Sequence, residues 1–235
     1  MNQLLITLQF YATATFQVIL GDLCHIHTST VCRIIHKVTA AIAKLSTKYV
    51  KFPATADERR KNTNEFYQMP GLPGVIGAVD CTHVPTQSPG GVDAEIHRNR
   101  KGYFSINVQL ISDSRGLITD VVARWPVLCT TALFDNSRIR AMLATWLEMV
   151  AIRVVSICWL RLLIQAVKQR RSTMNEAQIS ARNCIERANG ILKRRFPALK
   201  YGLRLKLDKT LPVIVAAVVI NNIALLAGDE IPPED

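Results

Sequence analysis

The sequence predicts an α/β protein in which a small helical, helix-turn-helix-like region leads into a sheet domain backed by long helices. Three observations carry this. Apolar residues recur at helical spacing through "NQLLITLQFYATATFQVI", and Val31, Ile34, Ile35 and Val38 later form one face of a second helical stretch. The period then changes. Val75–Val79 is a continuous apolar run, the mark of a strand covered on both faces. "YFSINVQLISD" alternates and is rich in β-formers, Ser114-Arg115-Gly116 makes a turn, and Leu117–Ala123 reads as a third strand. Helical patterns return over Ser137–Ala151, Glu176–Phe196 and Leu211–Leu226.

At the N-terminal end, Gly21-Asp22 is expected to break the first helix. A short helix around Leu23–His25, a turn near His27–Thr28 and a longer helix capped by Ser29 follow. This spacing suits a DNA-reading helix pair, and equally a small helical packing unit. Residues 51–73 read as a polar joint: Pro53, the charge cluster Asp57–Lys61, then Pro70, Gly71 and Pro73. The expected organisation is therefore 1–50 helical, 51–73 linker and 74–227 sheet domain.

The 235 residues suffice for one or two domains with a real core, and 49% hydrophobic composition excludes a disordered chain. Lys and Arg number 29 against 18 acids, a formal charge of +11, which favours polyanionic partners or marks a merely basic surface. Six cysteines lie scattered without a CxxC pair, so reduced thiols are expected. The most apolar helix, Leu211–Ala227, contains Asn221-Asn222, which predicts a buried core helix rather than a membrane span.

Within "GVIGAVDCTHVPTQSP" an apolar run ends on a carboxylate, Asp80. At the tip of a central strand such an acid is either a turn cap or a working group. His83 reads as a structural hydrogen-bond donor or as a further ligand. In "ARNCIERANGILKRRF", Ala181, Ile185, Ala188 and Leu192 form an apolar stripe, with Arg182, Glu186, Gly190 and Lys193 on the adjacent face. Glu186 is either half of a surface pair with Arg182 or a second working acid, and Gly190 would let a neighbour approach closely. Basic residues crowd this region: Arg187, Lys193, Arg194, Arg195, Lys200, Arg204 and Lys206. A carboxylate inside a polyanion-binding surface repels its ligand unless a cation neutralises it. Acids, Mg²⁺ and a phosphodiester together are the logic of two-metal phosphoryl chemistry.

"GVIGAVDCTHV", "YFSINVQLISDSRGLITDVVARWP" and "NEAQISARNCIERANGILKRRFPAL", in this order, resemble the harbinger transposase-derived nucleases, which are DDE endonucleases. The resemblance runs from about Leu4 to Leu226. It implies an RNase H-like core, a twisted sheet flanked by helices. It also implies Mg²⁺- or Mn²⁺-dependent cleavage of DNA, with a metal-activated water as nucleophile. The family's first metal-binding acid falls on Asp80 and its last on Glu186, so both are expected to be catalytic and metal-binding. Arg187, Lys193, Arg194 and Arg195 are expected to hold DNA phosphates. A Myb-like (SANT-type) partner, a location in the nucleus as well as the cytoplasm, no membrane association, and a further helical segment before Met1 are also implied.

The middle of the chain departs from the family pattern. The stretch "WPVLCTTALFDNSRI" carries Thr130 or Thr131 where the resemblance places the second catalytic Asp. "MVAIRVVSICWLRLLIQAVKQRR" carries no acid at all. A shifted reading frame or a decayed transposon copy would leave such patches between intact blocks. Asp135 is the nearest substitute acid, although its plainer reading is a helix cap or turn residue; Asp113 and Asp120 read as turn or strand-end acids. The expectation is a nuclease impaired by loss of one acid. The alternative is a catalytically inactive DNA- or protein-binding domain derived from a transposase.

Overall fold

The computed structural model describes residues 3–68, 74–125, 153–156 and 171–229. The expected helix Ser137–Ala151, together with Thr130, Thr131, Asp135 and Glu148, lies outside the described residues.

The N-terminal helices are α1 (Gln3–Thr13), α2 (Gln17–Cys24), α3 (Thr28–Lys44) and the one-turn α4 (Ser46–Tyr49). The first break falls at Ala14, which adopts φ 53°, and not at Gly21-Asp22. Gly21 sits inside α2, where a Cβ would meet the Ile26 carbonyl oxygen at 2.7 Å. The chain turns by 105° between α2 and α3, with His25 left-handed at φ 52°. The cap of α3 is His27 rather than Ser29: its side chain accepts from the Ser29 backbone N–H. Val31, Ile35, Thr39 and Ile42 form the buried face of α3, with Ile34 and Val38 packed at its edge.

The expected linker contains a helix, α5 (Ala56–Gln68). Its start is a capping box. The Thr55 hydroxyl accepts from the Glu58 N–H, and the Glu58 carboxylate accepts from the Thr55 N–H. Charge clustering hid this motif, since the helix buries only Phe66 fully. Asn62 donates to the Ile76 carbonyl and Glu65 accepts from Ser114, which fastens α5 across the sheet.

Four strands follow in the spatial order β3-β2-β1-β4. These are β1 (Val75–Pro85), β2 (Ser105–Ser112), β3 (Ile118–Trp125) and β4 (Arg153–Ser156). The β1–β2 and β2–β3 pairs are antiparallel, and β4 runs parallel to β1. The predicted hairpin turn is present. Gly116 takes φ 83°, and the Asp113 carboxylate accepts from the Arg115 and Leu117 N–H groups. Asp113 is thus the turn acid expected; Asp120 lies buried within β3.

Behind the sheet lie α6 (Arg171–Arg195), the short α7 (Pro197–Tyr201) and α8 (Leu207–Leu226). Helix α8 is long and apolar enough to cross a membrane, and half of its apolar window is buried in the protein. Its Asn222 amide accepts from the Ile118 N–H and donates to the Ile118 and Tyr49 carbonyls. One continuous core joins the N-terminal helices, the sheet and α6–α8. Tyr11 stacks edge-on against Phe196 at 5.9 Å and shares a buried 3.1 Å hydrogen bond with Thr39. The four described cysteines, Cys24, Cys32, Cys81 and Cys184, are free thiols.

Candidate active site

Strand β1 is central, so its first half is apolar on both faces. Contrary to the sequence expectation, β1 does not end at Asp80. It continues to Pro85 through pairing with β2, Asp80 standing opposite Leu110. The described pairing with β4 stops at Val79–Ser156. Asp80 follows the last described pair of β1 with β4.

Helix α6 lies across β1 because its stripe of Cys184, Ile185, Ala188 and Leu192 is buried. The Cys184 thiol donates to the Asp113 and Ser114 carbonyls of the hairpin turn, which fixes the position of the helix along the sheet. Glu186, Asn189 and Lys193 recur at spacings of three and four and share one face. Asn189 Nδ2 donates to Asp80 Oδ2 at 2.9 Å. Lys193 Nζ donates to the His83 carbonyl oxygen at 2.9 Å. Arg182 pairs with Glu186 one turn earlier, the surface-pair alternative that the sequence left open.

The two acids singled out by sequence thus lie at one β1–α6 junction. Burial raises the Asp80 pKa above the ordinary aspartate value. Hydrogen bonds from the Cys81 backbone and Asn189 oppose the rise, and the charge of Glu186 adds to it. Burial lowers the Lys193 pKa against the favourable charge of Asp80. His83 is pushed down by burial, then by the charges of Lys193 and Arg100. Its ring contacts Ser105 Oγ at 3.2 Å, and the buried Asn99 donates to the same hydroxyl.

Asn189 went unnoticed in the sequence, although its spacing from Glu186 puts it on the same helix face. It is 7% exposed, and its Oδ1 is buried without a hydrogen-bond partner. Gly190, expected to admit a close neighbour, faces open space. Of the basic residues expected to hold phosphates, Arg187 is exposed, Lys193 points inward to β1, and Arg195 pairs with Asp229. Arg194 is half-buried. Arg187 lines a pocket of about 150 Å³ with Arg115, Ile191 and Asn221, on a different side of α6 from Glu186 and Lys193.

Hard divalent cations take oxygen ligands, and Mg²⁺ is commonly held by one or two carboxylates together with waters and substrate phosphates. Asp80 and Glu186 fit that donor chemistry for one ion. Among the described residues no group of three His, Cys, Asp or Glu side chains is arranged to hold a metal.

Residues 79–148 match the family model described as DDE superfamily endonuclease. The chain is 30% identical over 240 residues to "Putative nuclease HARBI1" of Rattus norvegicus, covering 98% of this chain and 68% of that protein. It is 29% identical over 243 residues to the Homo sapiens protein of the same name, with the same coverage. It is also 25% identical over 109 residues to "Protein ALP1-like" of Arabidopsis thaliana, 46% of this chain and 26% of that one. No solved structure matches the chain. Similarity across almost the whole length, together with the endonuclease match that begins one residue before Asp80, places the protein: it belongs to the harbinger transposase-derived nucleases of the DDE superfamily.

Proposed function

We propose that the chain is a metal-dependent DNA endonuclease that hydrolyses phosphodiester bonds, weakened by the missing second acid. The observation that carries this reading is the Asn189–Asp80 hydrogen bond, which seats the Glu186 face of α6 against β1. Two carboxylates from distant parts of the chain then act on one another across a half-buried junction. The order β3-β2-β1-β4, with helices behind it, supports an RNase H-like core. The 105° turn between α2 and α3 supports a helix-turn-helix-like region.

Asp80 and Glu186 would hold a single Mg²⁺ or Mn²⁺. When bound, such an ion polarises a phosphoryl oxygen and lowers the pKa of water. The chain's own residues do the rest. Asn189 fixes one oxygen of Asp80, Lys193 ties the helix to the strand beside it, and Arg182 restrains Glu186. Exposed cations near the junction would draw the phosphate backbone in. A Myb-like partner and a nuclear location remain part of the proposal, on family grounds.

A second reading is favoured by a specific observation. Thr130 or Thr131 stands where the family has its second acid, and residues 149–171 contain no acid. The chain would then be a DNA-binding module that has lost catalysis. Nicking of supercoiled plasmid in Mg²⁺ separates the two. The nuclease reading expects slow cleavage above an Asp80→Ala blank, raised by Thr131→Asp or Thr130→Asp. Cleavage no faster than the blank in all of these, with plasmid binding retained, establishes the binding module instead.

A further inference from the structure

Asn189 is buried at the junction, and half of its carboxamide is unexplained. Its NH₂ group is used, donating to Asp80 Oδ2 at 2.9 Å. Its carbonyl oxygen has no partner although the residue is 7% exposed. Buried side-chain oxygens without partners are uncommon and call for a physical reason. A purely structural donor to Asp80 could have been a group without a second, acceptor atom. Glu186 lies one turn before Asn189 on the same face, and its charge reaches Asp80. The orphaned oxygen therefore shares its carbon with the nitrogen that holds Asp80, on the helix face that carries Glu186.

We propose that Asn189 Oδ1 is a third oxygen ligand of the divalent cation held by Asp80 and Glu186. This rests on the metal-dependent reading above and extends it to a residue type that a search for acids overlooks. Side-chain amide oxygens are ordinary ligands of hard cations. A neutral oxygen completes the donor set without adding to the repulsion between two acids. It also gives the amide both of its roles: the NH₂ end orients Asp80, and the oxygen end meets the ion.

Mn²⁺ binding to the full chain without DNA, followed by loss of the free-ion electron paramagnetic resonance signal, tests this. Wild type, Asn189→Leu, Asn189→Asp and Asp80→Asn are compared. The proposal expects Asn189→Leu to weaken Mn²⁺ binding by roughly 10-fold or more, Asn189→Asp to bind at least as tightly as wild type, and Asp80→Asn to lose binding. Unchanged affinity in Asn189→Leu overturns it and leaves the metal reading standing. Equal weakening in Asn189→Leu and Asn189→Asp also overturns it, since the amide then acts only by donating to Asp80. Failure of wild type to bind Mn²⁺, or full binding by Asp80→Asn, overturns the metal reading and this inference together. Should Asn189→Leu not fold, the side-chain carbonyl ¹³C resonance of Asn189 in wild type decides under Mg²⁺ titration. A saturating shift supports ligation, and no shift overturns it.

Discussion

Asp80 carries its charge at a cost, because it is half-buried and the charge of Glu186 adds to the effect of burial. Its folded-state pKa lies above the ordinary aspartate value of 3.8. Between those two values the folded protein keeps a proton that the unfolded chain has released. Folding stability therefore falls as pH rises through that window, and the loss is complete above the folded pKa. Asp80→Asn removes the cost while keeping the shape and an acceptor for Asn189. In metal-free buffer its thermal midpoint is expected to exceed that of wild type at pH 7, and the gap to close as pH falls below the ordinary aspartate range. Thermal melts across pH with a chelator present check this; equal midpoints at pH 7 would show that neighbouring donors offset the burial fully. At this scale the sequence is informative where a flanking motif marks a residue. Asp80 and Glu186 could be singled out by their flanking motifs. Asn189 could not, because an amide on a helix has many ordinary roles and only the partner strand reveals this one. The inward turn of Lys193 was hidden for the same reason: a lysine in a basic run reads as solvated until its backbone acceptor on β1 is known.

Elements were legible where one short stretch of chain determines them. The β2–β3 hairpin follows from alternation plus the Asp113–Gly116 turn chemistry, and α8 from its long, mostly apolar stretch. Helix α5 was missed because its sequence "ADERRKNTNEFYQ" presents a charge cluster and little amphipathic signal. It is set by the Thr55–Glu58 box and by one deeply buried anchor. Phe66 is fully buried against the core, so Phe66→Ala is expected to destabilise the fold by about 3–5 kcal/mol. A residue in a solvated linker would cost almost nothing. Urea denaturation distinguishes these outcomes, and a change below about 0.5 kcal/mol would return the segment to the linker reading. Strand β4 was equally hidden. Its register beside β1 is a parallel, long-range pairing with no adjacent turn to announce it.

Over the whole molecule, packing between distant segments decides what surface remains for a ligand. The N-terminal helices are part of the same core as α8, through Val31, Ile35 and Ile42. The formal charge of +11 predicts salt-sensitive DNA binding. Lys193 and Arg195 are engaged with His83 and Asp229. By contrast, Arg100 and Lys101 are exposed on a turn that the buried Asn99 holds in place, its side-chain oxygen accepting from the Lys101 N–H at 2.9 Å. Asn99 also donates to Ser105, the hydroxyl that contacts His83, so this turn is braced against the strand that carries Asp80. The charge of Arg100 reaches His83, three residues beyond Asp80 on β1. Each phosphate contact contributes about 0.9 to the slope of log K against log salt concentration. Arg100→Ala with Lys101→Ala is therefore expected to flatten that slope by up to about 1.8, while Arg33→Ala with Lys37→Ala on the exposed side of α3 leaves it unchanged. Fluorescence anisotropy with a labelled duplex, titrated at several salt concentrations, measures both. Flattening by the α3 pair alone would move the footprint to the N-terminal helices and make α3 the DNA-facing element.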